Sequence, residues 1–109
     1  MFIIDNDTDT MTIVKKDTAS FFVALDNYML SEGDRVIFTV AKEVEQETPE
    51  LQIIVESFVE GGAMVVLTSE DTNLEVGEYK YDVQVNTKDG RVDTVVGPAK
   101  FKVIGGVTY

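Results

Sequence analysis

The chain has 109 residues, 44% of them hydrophobic, and carries a formal net charge of −11 from 20 acidic and 9 basic side chains. It contains neither cysteine nor histidine, which removes disulfides, thiolate nucleophiles, cysteine-ligated zinc and the usual general base near neutral pH, and with them serine–histidine and cysteine–histidine catalysis. The acidic balance opposes binding to nucleic-acid phosphates and to anionic membranes, and the length suits one domain, 1–109, with a core that needs no staple.

Met1-Phe2-Ile3-Ile4 meets Asp5 at once, so no basic start followed by a long apolar region marks a targeting segment. Residues 1–10 are expected to be a flexible or edge segment of the domain. Asp5-Asn6-Asp7-Thr8-Asp9 places oxygens at alternate positions like the opening of a calcium loop. Counted from Asp5, the sixth and twelfth positions are Thr10 and Lys16, where an EF-hand needs glycine and a bidentate glutamate. The match fails, and a solvated segment is the simpler reading.

Met11–Lys15 and Ala19–Leu25 read as two short strands separated by Lys16-Asp17-Thr18. A charged interruption of this kind marks an edge strand that bulges or changes sheet. Residues 27–34 form a loop ending in the turn chemistry of Ser31-Glu32-Gly33-Asp34. Tyr28 and Met29 in this loop are a candidate contact surface, with plugging of one end of the core as the commoner fate. Tyr109 at the other extreme is a further contact candidate.

Arg35–Ala41 alternates with Val36, Phe38 and Val40 on one face. An acidic connection, closed by Pro49, leads to the strand Leu51–Phe58. Glu60-Gly61-Gly62 turns the chain into Ala63–Thr68. One helical turn near 69–73 follows, capped by Thr68 or Ser69, with Glu70 and Asp71 suited to its N-terminal end.

The run from Asp71 to Arg91 is the most regular in the chain. Tyr79, Tyr81, Val83 and Val85 share one face of a long strand, and Lys80, Asp82, Gln84 and Asn86 the other. Leu74, Gly77 and Tyr79 resemble a tyrosine corner, in which the hydroxyl returns to backbone just upstream. Asp89-Gly90 is a hairpin signal. Val92–Val96 and Ala99–Ile104 close the series, broken by Gly97-Pro98. Short strands with turn signals about every dozen residues, and no amphipathic helix, predict an all-β fold: an immunoglobulin-like antiparallel β-sandwich of about 7–8 strands.

None of this specifies chemistry. Any pair among so many carboxylates is uninformative for hydrolysis without a close separation and one raised pKa. No cofactor or metal is expected. The order Thr12-Ile13-Val14, Asp17-Thr18, Gly33-Asp34-Arg35-Val36-Ile37-Phe38-Thr39-Val40, Leu67–Thr72, Leu74-x-x-Gly77-x-Tyr79-x-Tyr81-Asp82-Val83, Asp89-Gly90 and Gly97-Pro98-Ala99-Lys100-Phe101-Lys102-Val103 resembles the small β-sandwich proteins of tailed phages and prophages, similar to N-terminal domains of baseplate and tail proteins. That family usually has glycine before the first Asp-Thr, where this chain has Lys16. The resemblance implies a non-catalytic virion role, made in the bacterial cytoplasm and working by assembly with other phage structural proteins or with itself, without nucleic acid or membrane insertion. The alternative is an immunoglobulin-like module recognising carbohydrate or a cell-surface protein, which an exposed aromatic cluster would favour.

Overall fold

The computed structural model describes residues 1–44 and 46–107. The eight strands are β1 (Phe2–Ile4), β2 (Met11–Val14), β3 (Ala19–Val23), β4 (Arg35–Ala41), β5 (Leu51–Val55), β6 (Ala63–Leu67), β7 (Gly77–Asn86) and β8 (Val92–Ile104). Among the described residues there is no helix. Among the described residues a six-stranded sheet runs β1-β2-β8-β7-β4-β5, and a second sheet holds only β3 and β6.

The inward faces follow from alternation. Val36, Phe38 and Val40 of β4, Tyr79, Tyr81, Val83 and Val85 of β7, and Phe101 and Val103 of β8 are all buried. The other sheet adds Val23, Ala63, Val65 and Leu67 to the same core. Phe38 joins the two layers: its ring lies 5.7 Å from Tyr81 and 6.0 Å from Phe101 in its own sheet, and 5.2 Å from Phe21 of β3. Such tilted and edge-to-face contacts add to the area the rings bury.

Lys16 is the pivot between the sheets. The Asp17 N–H closes a tight turn on the Val14 carbonyl at 3.0 Å, and Lys16 has φ +70°, at the turn position where glycine is favoured. The turn is clamped from outside. Ser69 Oγ donates to the Lys16 carbonyl, and the buried Thr72 Oγ1 donates to the Asp17 carbonyl at 2.7 Å. The 68–72 segment is a single helical turn, with Thr72 N–H on the Thr68 carbonyl at 3.2 Å. Thr68 caps it reciprocally with Asp71: Thr68 N–H donates to Asp71 Oδ2 at 2.8 Å, and Asp71 N–H to Thr68 Oγ1 at 3.2 Å.

Within the segment 1–10, expected to be flexible or an edge, β1 is an edge strand antiparallel to β2, with Phe2 opposite Ile13. Two features depart from the sequence reading. First, the sheets are not wholly antiparallel, because β2 runs parallel to β8, Met11 to Val14 opposite Phe101 to Ile104. The turn at Lys16 carries the chain away from β2's own sheet, so its neighbour comes from the far end of the chain and hairpin geometry does not set its direction. Secondly, 92–104 is one strand. Tyr81 pairs with Ala99 and Val83 with Val96, so Gly97 and Pro98 together oppose Asp82 in a bulge. A bulge tolerates proline's missing N–H.

Candidate functional site

At one end of the molecule the loop 27–34 is held by Asp34, which is 1% exposed. The Ser31–Asp34 turn is closed by Asp34 N–H on the Ser31 carbonyl at 3.0 Å. The carboxylate accepts from Tyr28 Oη on both oxygens, from Ser31 N–H and from Lys88 N–H, each at 2.9 Å. Lys88 Nζ also donates to Ser31 Oγ at 2.8 Å. Burial pushes the Asp34 pKa up, but the two backbone amides, the Tyr28 hydroxyl and the Lys88 charge outweigh it, and the group lies below its ordinary value. Tyr28 moves the opposite way, raised by desolvation and by its bond to Asp34. This is a structural tie between the loop and the β7–β8 hairpin.

Tyr28 is thus half-buried and engaged, while its neighbour Met29 is 72% exposed. Tyr109 lies outside the described residues. Tyr79 Oη donates to the Glu75 carbonyl at 2.6 Å, four residues upstream. Gly77 opens β7 and Leu74 packs against the core. Asp89-Gly90 lies in a three-residue hairpin loop, with Gly90 N–H on the Thr87 carbonyl at 3.0 Å, Thr87 N–H on the Arg91 carbonyl at 2.9 Å and Gly90 at φ +97°. All of these are frame elements; none gathers reactive groups.

Among the described residues no group of three or more acidic side chains is placed to hold a metal ion. In the Asp5–Asp9 loop, Asp7 N–H turns back to Asp5 Oδ1 at 2.9 Å. A groove of about 290 Å³ on the outer face of β4 and β7 holds Thr39, Gln52, Lys80, Asp82 and Gln84. Asp82 there is raised by burial, and Glu43 lines the same groove.

The feature that stands out is the outer face of the two-stranded sheet. Phe22 is 48% exposed, Met64 44% and Val66 55%, with Phe22 directly opposite Met64 and Val66 opposite Ser20. The patch continues towards Met29 through Gly61 and Gly62: a Cβ on Gly62 would stand 2.2 Å from the Phe22 ring, and one on Gly61 2.8 Å from Met29 Cε. Isolated apolar side chains on a surface are ordinary, whereas a contiguous group marks contact. A sequence signal for this site exists. Phe21–Leu25 and Ala63–Leu67 are apolar without alternation, the pattern of strands covered on both faces, yet only one face of each is covered by the fold. Comparison with protein-family models, with curated proteins and with solved structures returns no match.

Proposed function

We propose that this chain is an immunoglobulin-like β-sandwich module of a tailed-phage or prophage particle, a tail or baseplate component that works by protein–protein assembly and not by catalysis. The observation that carries the reading is the uncovered apolar face of β3 and β6, in a sheet with no other strands among the described residues. Burying such a face contributes roughly 25 cal/mol per Å² of apolar surface, a driving force that a free-standing domain leaves unused.

The immunoglobulin-like assignment is supported by strand order. The sequence β8-β7-β4-β5 in one sheet, with β3 and β6 in the other, matches the G-F-C-C′ and B-E strands of such domains, and the tyrosine hydroxyl bond at the start of β7 sits where their corner does. The phage context is supported by the sequence resemblance. High net negative charge suits a component that must stay soluble before assembly. Among the described residues no helix is long and apolar enough to cross a membrane.

The test is chemical cross-linking and mass spectrometry of particles purified from a host that produces this chain. A fixed stoichiometry, with cross-links to tail or baseplate proteins, is the expected result. Absence of the chain from purified particles sinks the proposal.

A further inference from the structure

Among the described residues β3 pairs with β6 and with no other strand, so one of its edges carries unpaired backbone groups. A groove of about 230 Å³ is lined by Phe21, Phe22, Val23 and Ala24 together with Ile4, Val95 and the core residue Tyr81. Successive side chains of a strand point to opposite faces. A groove touched by four consecutive residues therefore follows the edge and not a face. Its volume is below the roughly 300–1,000 Å³ of small-molecule sites, and the four consecutive residues that line it span about 13 Å. These proportions fit the backbone of an extended strand with alternate side chains pointing inward.

Natural sheets protect such edges with lysine, proline or a bulge. The sequence of β3, Ala-Ser-Phe-Phe-Val, has none of these. Charge then selects the occupant. All nine basic residues lie outside segments 17–34 and 43–79, which supply both strands of the small sheet and their connections. Those segments hold Asp17, Asp26, Glu56, Glu60, Glu70 and Asp71 with no lysine or arginine among them. Among the described residues the one charged residue lining the groove is Asp9. A second copy would bring another −11 of charge to an acidic surface and is disfavoured by repulsion.

We infer that the free edge of β3 is the assembly joint, and that it takes an extended segment of a different protein, apolar at alternate positions and flanked by lysine or arginine. The segment's backbone continues the β3 ladder, its apolar side chains enter the groove between Phe22, Ile4 and Val95, and its basic flanks meet the acidic surround. The inference rests on the assembly reading and names the joint and the chemistry of the partner.

The experiment is selection from a yeast-displayed library of random peptides of about ten residues, a common upper strand length, against the intact chain. Selected peptides are then measured on two variants with charges at exposed positions, Phe22→Lys at the joint and Ile54→Lys on β5. Thermal melting verifies that both variants fold. The expected peptides alternate apolar residues between basic flanks, bind Phe22→Lys at least about ten-fold more weakly than Ile54→Lys, and slow amide exchange in 19–23. No enrichment, peptides without basic flanks, or binding indifferent to Phe22→Lys overturns the inference. So does a dimer of the chain alone, seen by sedimentation and abolished by Phe22→Lys, since the occupant is then a second copy. If particles contain the chain while the selection fails, the joint lies elsewhere and the assembly reading stands. If particles lack it while basic peptides bind β3, the reverse holds.

Discussion

The hydroxyl of Tyr81, in the middle of β7, donates to the backbone carbonyl of Asp9, 72 residues earlier in the chain. Asp9 has φ +59°, a conformation that costs a residue with a side chain roughly 1–2 kcal/mol, and the bond from a core strand helps to hold it there. The Tyr81 pKa is pushed up to about 12, by burial first and then by the Asp9 charge, so the hydroxyl remains a donor throughout the physiological range. The N-terminal hairpin is thereby tied to the centre of the six-stranded sheet.

Replacing Tyr81 by phenylalanine is expected to cost about 0.5–1.5 kcal/mol, the net worth of one such bond, and to accelerate amide exchange across 5–10. Tyr79→Phe, which removes the bond to Glu75, is expected to cost a similar amount and leave 5–10 unchanged. Thermal melting gives the energies, and hydrogen exchange by mass spectrometry separates the two sites. An unchanged melting temperature for Tyr79→Phe would remove the energetic role of the corner.

Gly97 and Gly90 make a controlled pair. Both have positive φ, +87° and +97°. A Cβ on Gly97 would stand 2.6 Å from the Tyr81 carbonyl oxygen, whereas one on Gly90 meets nothing within 4 Å. Gly90→Ala is expected to cost about 1 kcal/mol from its backbone conformation alone. Gly97→Ala should cost about 2–3 kcal/mol, because backbone must shift as well. Urea unfolding of both variants measures the difference, and equal losses would contradict the tight packing of the bulge.

Glu60 and Gly61 form a two-residue turn, with Val59 and Gly62 exchanging backbone bonds at 2.9 and 3.0 Å and φ of +53° and +77° at the two central positions. Positive φ at both positions calls for Asn-Gly. Glu60→Asn is therefore expected to raise stability by about 0.5–1 kcal/mol, read from the shift of the urea midpoint at constant slope.

Asp34 and Asp82 should respond to acid in opposite senses. The Asp34 pKa is lowered on folding, so its contribution is present above the ordinary aspartate value near pH 4 and is lost as pH falls through the depressed value. Asp34→Asn, which turns an amide N–H₂ towards donors, is expected to melt well below the wild type at pH 7, with the gap narrowing as pH falls through the depressed value. Burial raises the Asp82 pKa, so its charged form disfavours folding above pH 4 or so. Asp82→Asn should melt above the wild type at pH 7, with the advantage gone at pH 3. Parallel displacement of both variants at the two pH values would refute the assignment.

What the sequence made legible was what short-range periodicity controls. The face of Tyr79, Tyr81, Val83 and Val85 is buried along its whole length, and Val36, Phe38 and Val40 face it from β4. The turn at 68–72 was readable because its capping residues are local. Pairing between distant segments was not. Parallel pairing of β2 with β8 leaves no mark in either strand, and three residues are too few for Phe2–Ile4 to show a period. Gly97-Pro98 reads as a break by local rules, yet the register on both sides holds the strand together across it. Asp34 looked like turn chemistry, because Lys88, which ties it to the rest of the fold, arrives from the β7–β8 hairpin 54 residues away. The uncovered face of β3 and β6 was visible as an apolar run, but only the topology shows that one of its faces is left open.

Gly62 gives that face a property that exposure figures alone do not convey. With no side chain there, the Phe22 ring lies down on the backbone, so close that even a methyl group would collide with it. The ring is half in solvent and rests on main chain. Any side chain at position 62 would push it off that bed, so the shape of the open face depends on a residue that has no side chain of its own.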